Sequence, residues 1–128
     1  MVAGKRPRVK GGIRADIGCY VRSGWEANIF RWLAWMKKNK AIHDFSYEPM
    51  EFEFPVKRGG GKYYKPDFQV WTSPDEWYLI EVKGYMSPES KTKLKRMAKH
   101  HPGIRIDIID QKHYNEIKKW AKIIPGWE

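Results

Sequence analysis

Asp67, Glu81 and Lys83 are the residues of this chain whose types and spacing suit hydrolytic chemistry. They lie in "YYKPDFQVWTSPDEWYLIEVKGY", which reads as two short strands joined by the turn "TSPDE". Side chains alternate faces along a strand. Glu81 and Lys83 therefore point one way, while Tyr78, Ile80 and Val82 point the other, toward a helix. Asp67 shares a face with Gln69, opposite Phe68 and Val70. If the two strands pair, Asp67 and Glu81 converge, beside a proline that marks a strand start or a sheet edge.

Two carboxylates aimed at one point suit a hard divalent cation. Magnesium prefers oxygen ligands and keeps several waters, so it needs few protein groups. Manganese accepts the same ligands and is expected to substitute. Such an ion acidifies water and neutralises a developing oxyanion. Lys83 would then orient the attacking water or stabilise charge on the phosphorane. Plainer readings compete. Glu81 and Lys83 also fit a solvent-facing strand pair, and Asp67 fits a turn after Pro66. Paired carboxylates can also act on a sugar as acid and base. The four histidines, His43, His100, His101 and His113, show no HExxH spacing, which disfavours a zinc hydrolase.

Glu26 is a fourth member with two readings. Ser23-x-x-Glu26 matches a capping box, in which the glutamate bonds back to the cap amide. The helical phase instead projects Glu26 almost with Leu33, between Trp25 and Phe30. An acid in that core-facing arc is costly unless paired or metal-bound. Glu26 is thus also expected as a ligand of a second metal, directly or through water.

The elements that must position these groups follow from periodicity. "SGWEANIFRWLAWMKKNK" puts Trp25, Ile29, Trp32, Leu33 and Met36 on one helix face, and its final lysines suit the carbonyl end. Met50, Phe52 and Phe54 alternate with Glu51 and Glu53, which predicts a half-exposed strand. "KRGGGK" is a glycine-rich turn without the GK[ST] of a phosphate loop. After the two strands that carry the acids, "SPESKTKLKRMAKH" predicts a helix capped by Ser87 with Pro88 at its first position. "IRIDIID" predicts a mostly buried strand, and "YNEIKKWAKII" a short last helix. The order is helix, three strands, helix, strand, helix. Its closing strand–helix–strand unit permits a parallel pair. The expected fold is α/β, a small mixed sheet flanked by helices. Residues 1–20 are expected to be a basic, partly disordered arm, and 21–128 the folded domain.

Length and charge bound the function. A chain of 128 residues makes one domain, and 41% apolar with 15% aromatic residues allows a real core. The 25 Lys and Arg against 15 Asp and Glu give a formal charge of +10, which favours a polyanionic partner, most simply nucleic acid. Lys5, Arg6, Arg8 and Lys10 in the arm, with Arg22, Lys62, Lys91 and Lys93, are the expected DNA contacts. Cys19 is the single cysteine, so neither an internal disulfide nor a structural zinc site is expected. No apolar run approaches the ~20 residues of a membrane span, and "MVAGKRPRVKGG" lacks the apolar stretch of a secretory signal. A cytoplasmic location is expected.

"PDFQVW" and "IEVKG" resemble the PD-(D/E)xK nuclease superfamily. The resemblance implies a restriction-endonuclease-like core and a metal-dependent cleavage centre built from Asp67, Glu81 and Lys83, with Glu26 as the helix acid. "RSGWE", "FSYEP", "YYKPDF", "EVKGY", "HPGIRIDI" and "IIPGWE" further resemble, in the same order over residues 22–128, the Holliday-junction-resolving endonuclease I of short-tailed bacteriophages. That likeness implies a magnesium-dependent homodimer of phage or prophage origin, active in the bacterial host cytoplasm, that cuts branched DNA by paired nicks. It also implies exchange of elements between two chains. Gly59–Gly61 lie where the exchanged connection is expected, though they also fit a local hairpin. Two other functions stay open: a nicking or sequence-specific endonuclease on the same centre, and a non-catalytic basic DNA-binding accessory protein.

Overall fold

A computed structural model describes residues 10–57 and 60–128. The first element is a hairpin of β1 (Gly12–Arg14) and β2 (Cys19–Val21). Ordered structure therefore reaches into the stretch expected to be an arm. Asp16 in its turn is tied to Arg31 and Arg14 to Glu128, so the hairpin is fastened to the domain by ion pairs. Helix α1 (Gly24–Lys38) follows, with Ser23 Oγ accepting the Glu26 amide at 3.1 Å as its cap. Ile29 and Leu33 are buried as the periodicity predicts, and Trp25, Trp32 and Met36 pack around them.

Next come β3 (Asp44–Tyr47), β4 (Phe52–Glu53), β5 (Tyr63–Tyr64), β6 (Phe68–Trp71) and β7 (Trp77–Val82). Helix α2 (Pro88–His100), β8 (Ile106–Ile109) and α3 (Gln111–Lys118) complete the chain. Four strands form the central sheet in the order β3-β6-β7-β8. The first two pairings are antiparallel, and β7 pairs with β8 in parallel across α2. This is a mixed sheet flanked by helices.

The sheet is covered on both faces, so its residues cannot alternate simply between core and water. Phe68, Val70, Ile80 and Val82 pack on Ile29 and Leu33 of α1 and Tyr114 of α3. On the other face Leu79 packs with Met97 of α2, Phe54 and Tyr64. Burying a side chain such as Leu79 contributes about 1.5–3 kcal/mol. Helix α2 starts as its sequence predicts, with Ser87 at the cap and Pro88 first.

Three expected elements differ. The alternation over Met50–Phe54 makes only the two-residue β4, paired with β5 outside the main sheet. The sheet strand is β3, upstream, whose four residues are all half-buried. The last helix begins at Gln111 rather than Tyr114, because Asp110 caps it through the His113 amide, and it ends at Lys118. Strand β8 is an edge, so Ile106 and Ile108 are half-buried and only Ile109 is buried. Strands β4 and β5 pair within this chain, where Gly61 takes φ +84° beside them. Of the glycine run, Gly59 lies outside the described residues.

Candidate active site

Phe68 pairs with Ile80, so the next step of the same ladder sets Asp67 across from Glu81. The Asp67 amide still donates to the Ile80 carbonyl at 3.2 Å, which holds this extra step in register. Directly opposed residues of antiparallel strands share a face. The two acids converge for the reason their spacing gave. Lys83 follows the end of β7, and its amide donates to the Ile109 carbonyl at 3.0 Å, so the parallel ladder carries it one step further. Glu26 comes from the first turn of α1.

All four line one cleft of about 200 Å³, together with Arg22, Tyr64, Lys65, Ser90 and Lys93. The acids are nearly inaccessible: Glu26 is 9%, Asp67 3% and Glu81 7% exposed. Buried carboxylates need partners, and each has some. Asp67 Oδ2 accepts the Val82 amide at 2.7 Å, and Oδ1 faces Arg22 Nη2 at 3.3 Å. Glu81 Oε1 accepts from the Tyr64 hydroxyl at 3.0 Å, while Oε2 lies 3.5 Å from Lys83 Nζ. Glu26 Oε1 accepts from the Tyr47 hydroxyl at 2.5 Å. Ser23 thus caps the Glu26 amide, but the Glu26 carboxylate is turned to Tyr47 rather than back to the cap.

These partners do not offset the burial. Desolvation, then the charges of Glu81 and Glu26, push the Asp67 carboxyl well above the usual range, against the Val82 amide and Arg22. Desolvation also raises Glu81, although Tyr64 and Lys83 pull the other way. Tyr64 is itself raised by burial and by Glu81, so it stays a proton donor. Tyr47 is raised by burial and by its bond to Glu26.

No family model, no curated protein and no solved structure matches this chain.

The expected DNA contacts divide. Lys5, Arg6 and Arg8 lie outside the described residues, and Lys10 is exposed. Arg22 faces inward on the acids, with Glu48 Oε2 at 2.9 Å and Asp67 at 3.3 Å. Lys93 lines the cleft and lies 3.7 Å from Glu89. Lys62 lies 3.7 Å from Glu53 and over the Tyr63 ring. Lys91 is exposed on α2 and does not line the cleft. Tyr47, Glu48, Tyr64 and Lys65 belong to the site although no sequence signal singles them out beforehand.

Among the described residues no three His, Cys, Asp or Glu side chains close into a metal cage. Magnesium does not need one, because it takes one or two carboxylates and keeps its waters. Asp67 and Glu81 offer hard oxygens in a place where uncompensated negative charge is costly, and that donor set fits the ion.

Proposed function

We propose that this chain is a magnesium-dependent DNA endonuclease with a restriction-endonuclease-like core, selective for branched DNA and four-way junctions. The observation that carries the reading is Asp67 set directly opposite Glu81, with Lys83 and Glu26 in one cleft that also contains Arg22, Lys65 and Lys93. Asp67 and Glu81 would hold the cation, and Glu26 would hold a second ion or an ordered water. The cation would supply positive charge at the scissile phosphate and make water more acidic. Lys83, only loosely bound to Glu81, is free to turn its ammonium to a phosphate oxygen or to the attacking water. Tyr64 fixes Glu81, and Tyr47 fixes Glu26, so neither acid has to reorganise when substrate arrives. Manganese is expected to replace magnesium. The +10 charge draws the polyanion to the cleft.

Resolving a junction takes two cuts, so this reading includes a homodimer with one cleft per chain acting in the host cytoplasm. A second reading is an enzyme that nicks branched and linear DNA alike, with the same four residues in its cleft.

The test compares a four-way junction with linear duplexes of the same arm sequences, with magnesium and with EDTA. Magnesium-dependent, paired scission of the junction, absent in Lys83→Ala, is the expected result. Equal nicking of junction and duplex would favour the second reading. Tight binding without scission at any magnesium concentration would overturn both in favour of a non-catalytic DNA-binding protein.

A further inference from the structure

The cleft already contains a cation of its own. Arg22 reaches three acids: Nη2 lies 2.9 Å from Glu48 Oε2 and 3.3 Å from Asp67 Oδ1, and Nε lies 3.9 Å from Glu26 Oε1. Two of these acids are buried in the cleft, and Glu48 is the more exposed third. Burial acts to lower the Arg22 pKa, but Glu26, Asp67 and Glu48 outweigh it, so the guanidinium is a fixed positive charge. Its side chain is 52% exposed and so is not locked by packing. It sits where the residue before Ser23 enters α1, on the same turn of chain that delivers Glu26.

We infer that Arg22 is an exchangeable counter-charge: it neutralises Asp67 until a divalent cation enters, then leaves Asp67 and offers its guanidinium to the DNA phosphate. A cation bound at Asp67 and Glu81 would stand beside the guanidinium, and like charges at that distance repel. Glu48 supplies the pivot. It holds the other side of Nη2 at the shorter distance, and its amide donates to the Asp67 carbonyl at 2.7 Å, so it stays put. Released from Asp67 but kept by Glu48, Arg22 points its free donors out of the cleft. A guanidinium binds phosphate oxygens in a bidentate fork. Cation entry and phosphate capture are thereby linked through one side chain, and the acids are never left bare.

This inference rests on Asp67 and Glu81 being cation ligands, but not on any bond being cut. The test is magnesium binding to DNA-free protein by calorimetry at pH 8.5, on the alkaline side of the raised Asp67 carboxyl. Arg22→Met removes the internal competitor and should bind magnesium at least about threefold tighter, the worth of a half-exposed ion pair. Lys65→Met removes a positive charge from the same cleft without touching Asp67, and should change the affinity less than twofold. In ¹⁵N-arginine spectra of wild type, the Arg22 Nε–H signal, assigned by its loss in Arg22→Met, should shift as magnesium saturates. An equal gain in Lys65→Met would reduce the effect to general electrostatics and overturn the exchange. So would an unmoved Arg22 signal, or wild-type protein that binds no magnesium. Exchange without DNA scission would leave the inference standing and remove the nuclease reading alone.

Discussion

Burial favours Asp67 as a neutral acid, while Arg22 and the proposed cation favour it as an anion. Its carboxyl is raised by burial and by neighbouring acids, so the folded state holds a proton that the unfolded state gives up near its ordinary range. The unfolded state then binds fewer protons, and stability falls as pH rises through that window. Asp67→Asn removes the charge with little change of shape. In EDTA it should melt at the same temperature as wild type near pH 4 and progressively higher toward pH 8, by about 0.5–2 kcal/mol, while cutting no DNA. A variant less stable than wild type at pH 8 would show that the ionised form is well supported. Tyr64→Phe isolates a partner. The hydroxyl helps Glu81 ionise, and a hydrogen bond to a charged group is worth about 1.5–3 kcal/mol. The variant should need roughly tenfold more magnesium for half-maximal cleavage, with a smaller deficit at higher pH, where Glu81 ionises without help. A pH-independent deficit would assign Tyr64 to packing. The acids and Lys83 were legible because a period of two fixes a face. Tyr64 and the Arg22–Glu48 pair were not, because they meet Glu81 and Asp67 through three-dimensional closure that no local period encodes.

Helix α1 delivers Glu26, and its placement depends on a buried polar seam. Asn28 Nδ2 donates to the Tyr114 hydroxyl at 2.8 Å and to the Glu128 carbonyl at 2.9 Å, and Oδ1 accepts from Arg31 and from the Glu128 amide. Arg31 is 7% exposed and clamps both Asp16 and Glu128. Asn28→Ala leaves several of these groups unpaired and should destabilise the domain by about 2–3 kcal/mol in urea titration. It should also lower cleavage without touching any cleft residue. A change under about 0.5 kcal/mol would mean that water takes over the seam. Sequence periodicity assigned the apolar stripe of α1 correctly and was silent on its polar side. Asn28 and Arg31 are polar, yet both are buried, tied to the β1–β2 hairpin and the C-terminal segment. The same blindness explains β3: its "DFSY" has no strict alternation, since both its faces are half-covered, while the clean alternation over Met50–Phe54 belongs to a short ladder at the periphery.

The charge of the chain is spread unevenly. Several lysines near the cleft have acidic neighbours, whereas Lys5, Arg6, Arg8 and Lys10 precede the first hairpin. Deleting residues 1–10 should flatten the slope of log affinity against log salt by about 0.9 for each phosphate that these residues neutralise, with cleavage of bound DNA unchanged. An identical slope would place the phosphate-binding surface on the folded domain alone. The seam under α1 has a consequence for how the protein is made. Asn28 bonds to residues 86 and 100 positions further along, so the seam that fixes α1 is complete only once those residues are in place. Asp67, Glu81 and Lys83 are therefore expected to settle in their sheet before Glu26 is finally seated. In refolding pulses of hydrogen exchange, the amides of β6 and β7 should gain protection before those of α1. A chain lacking residues 114–128 would carry an unfinished cleft, and under the proposed nuclease reading it should bind DNA without cutting it.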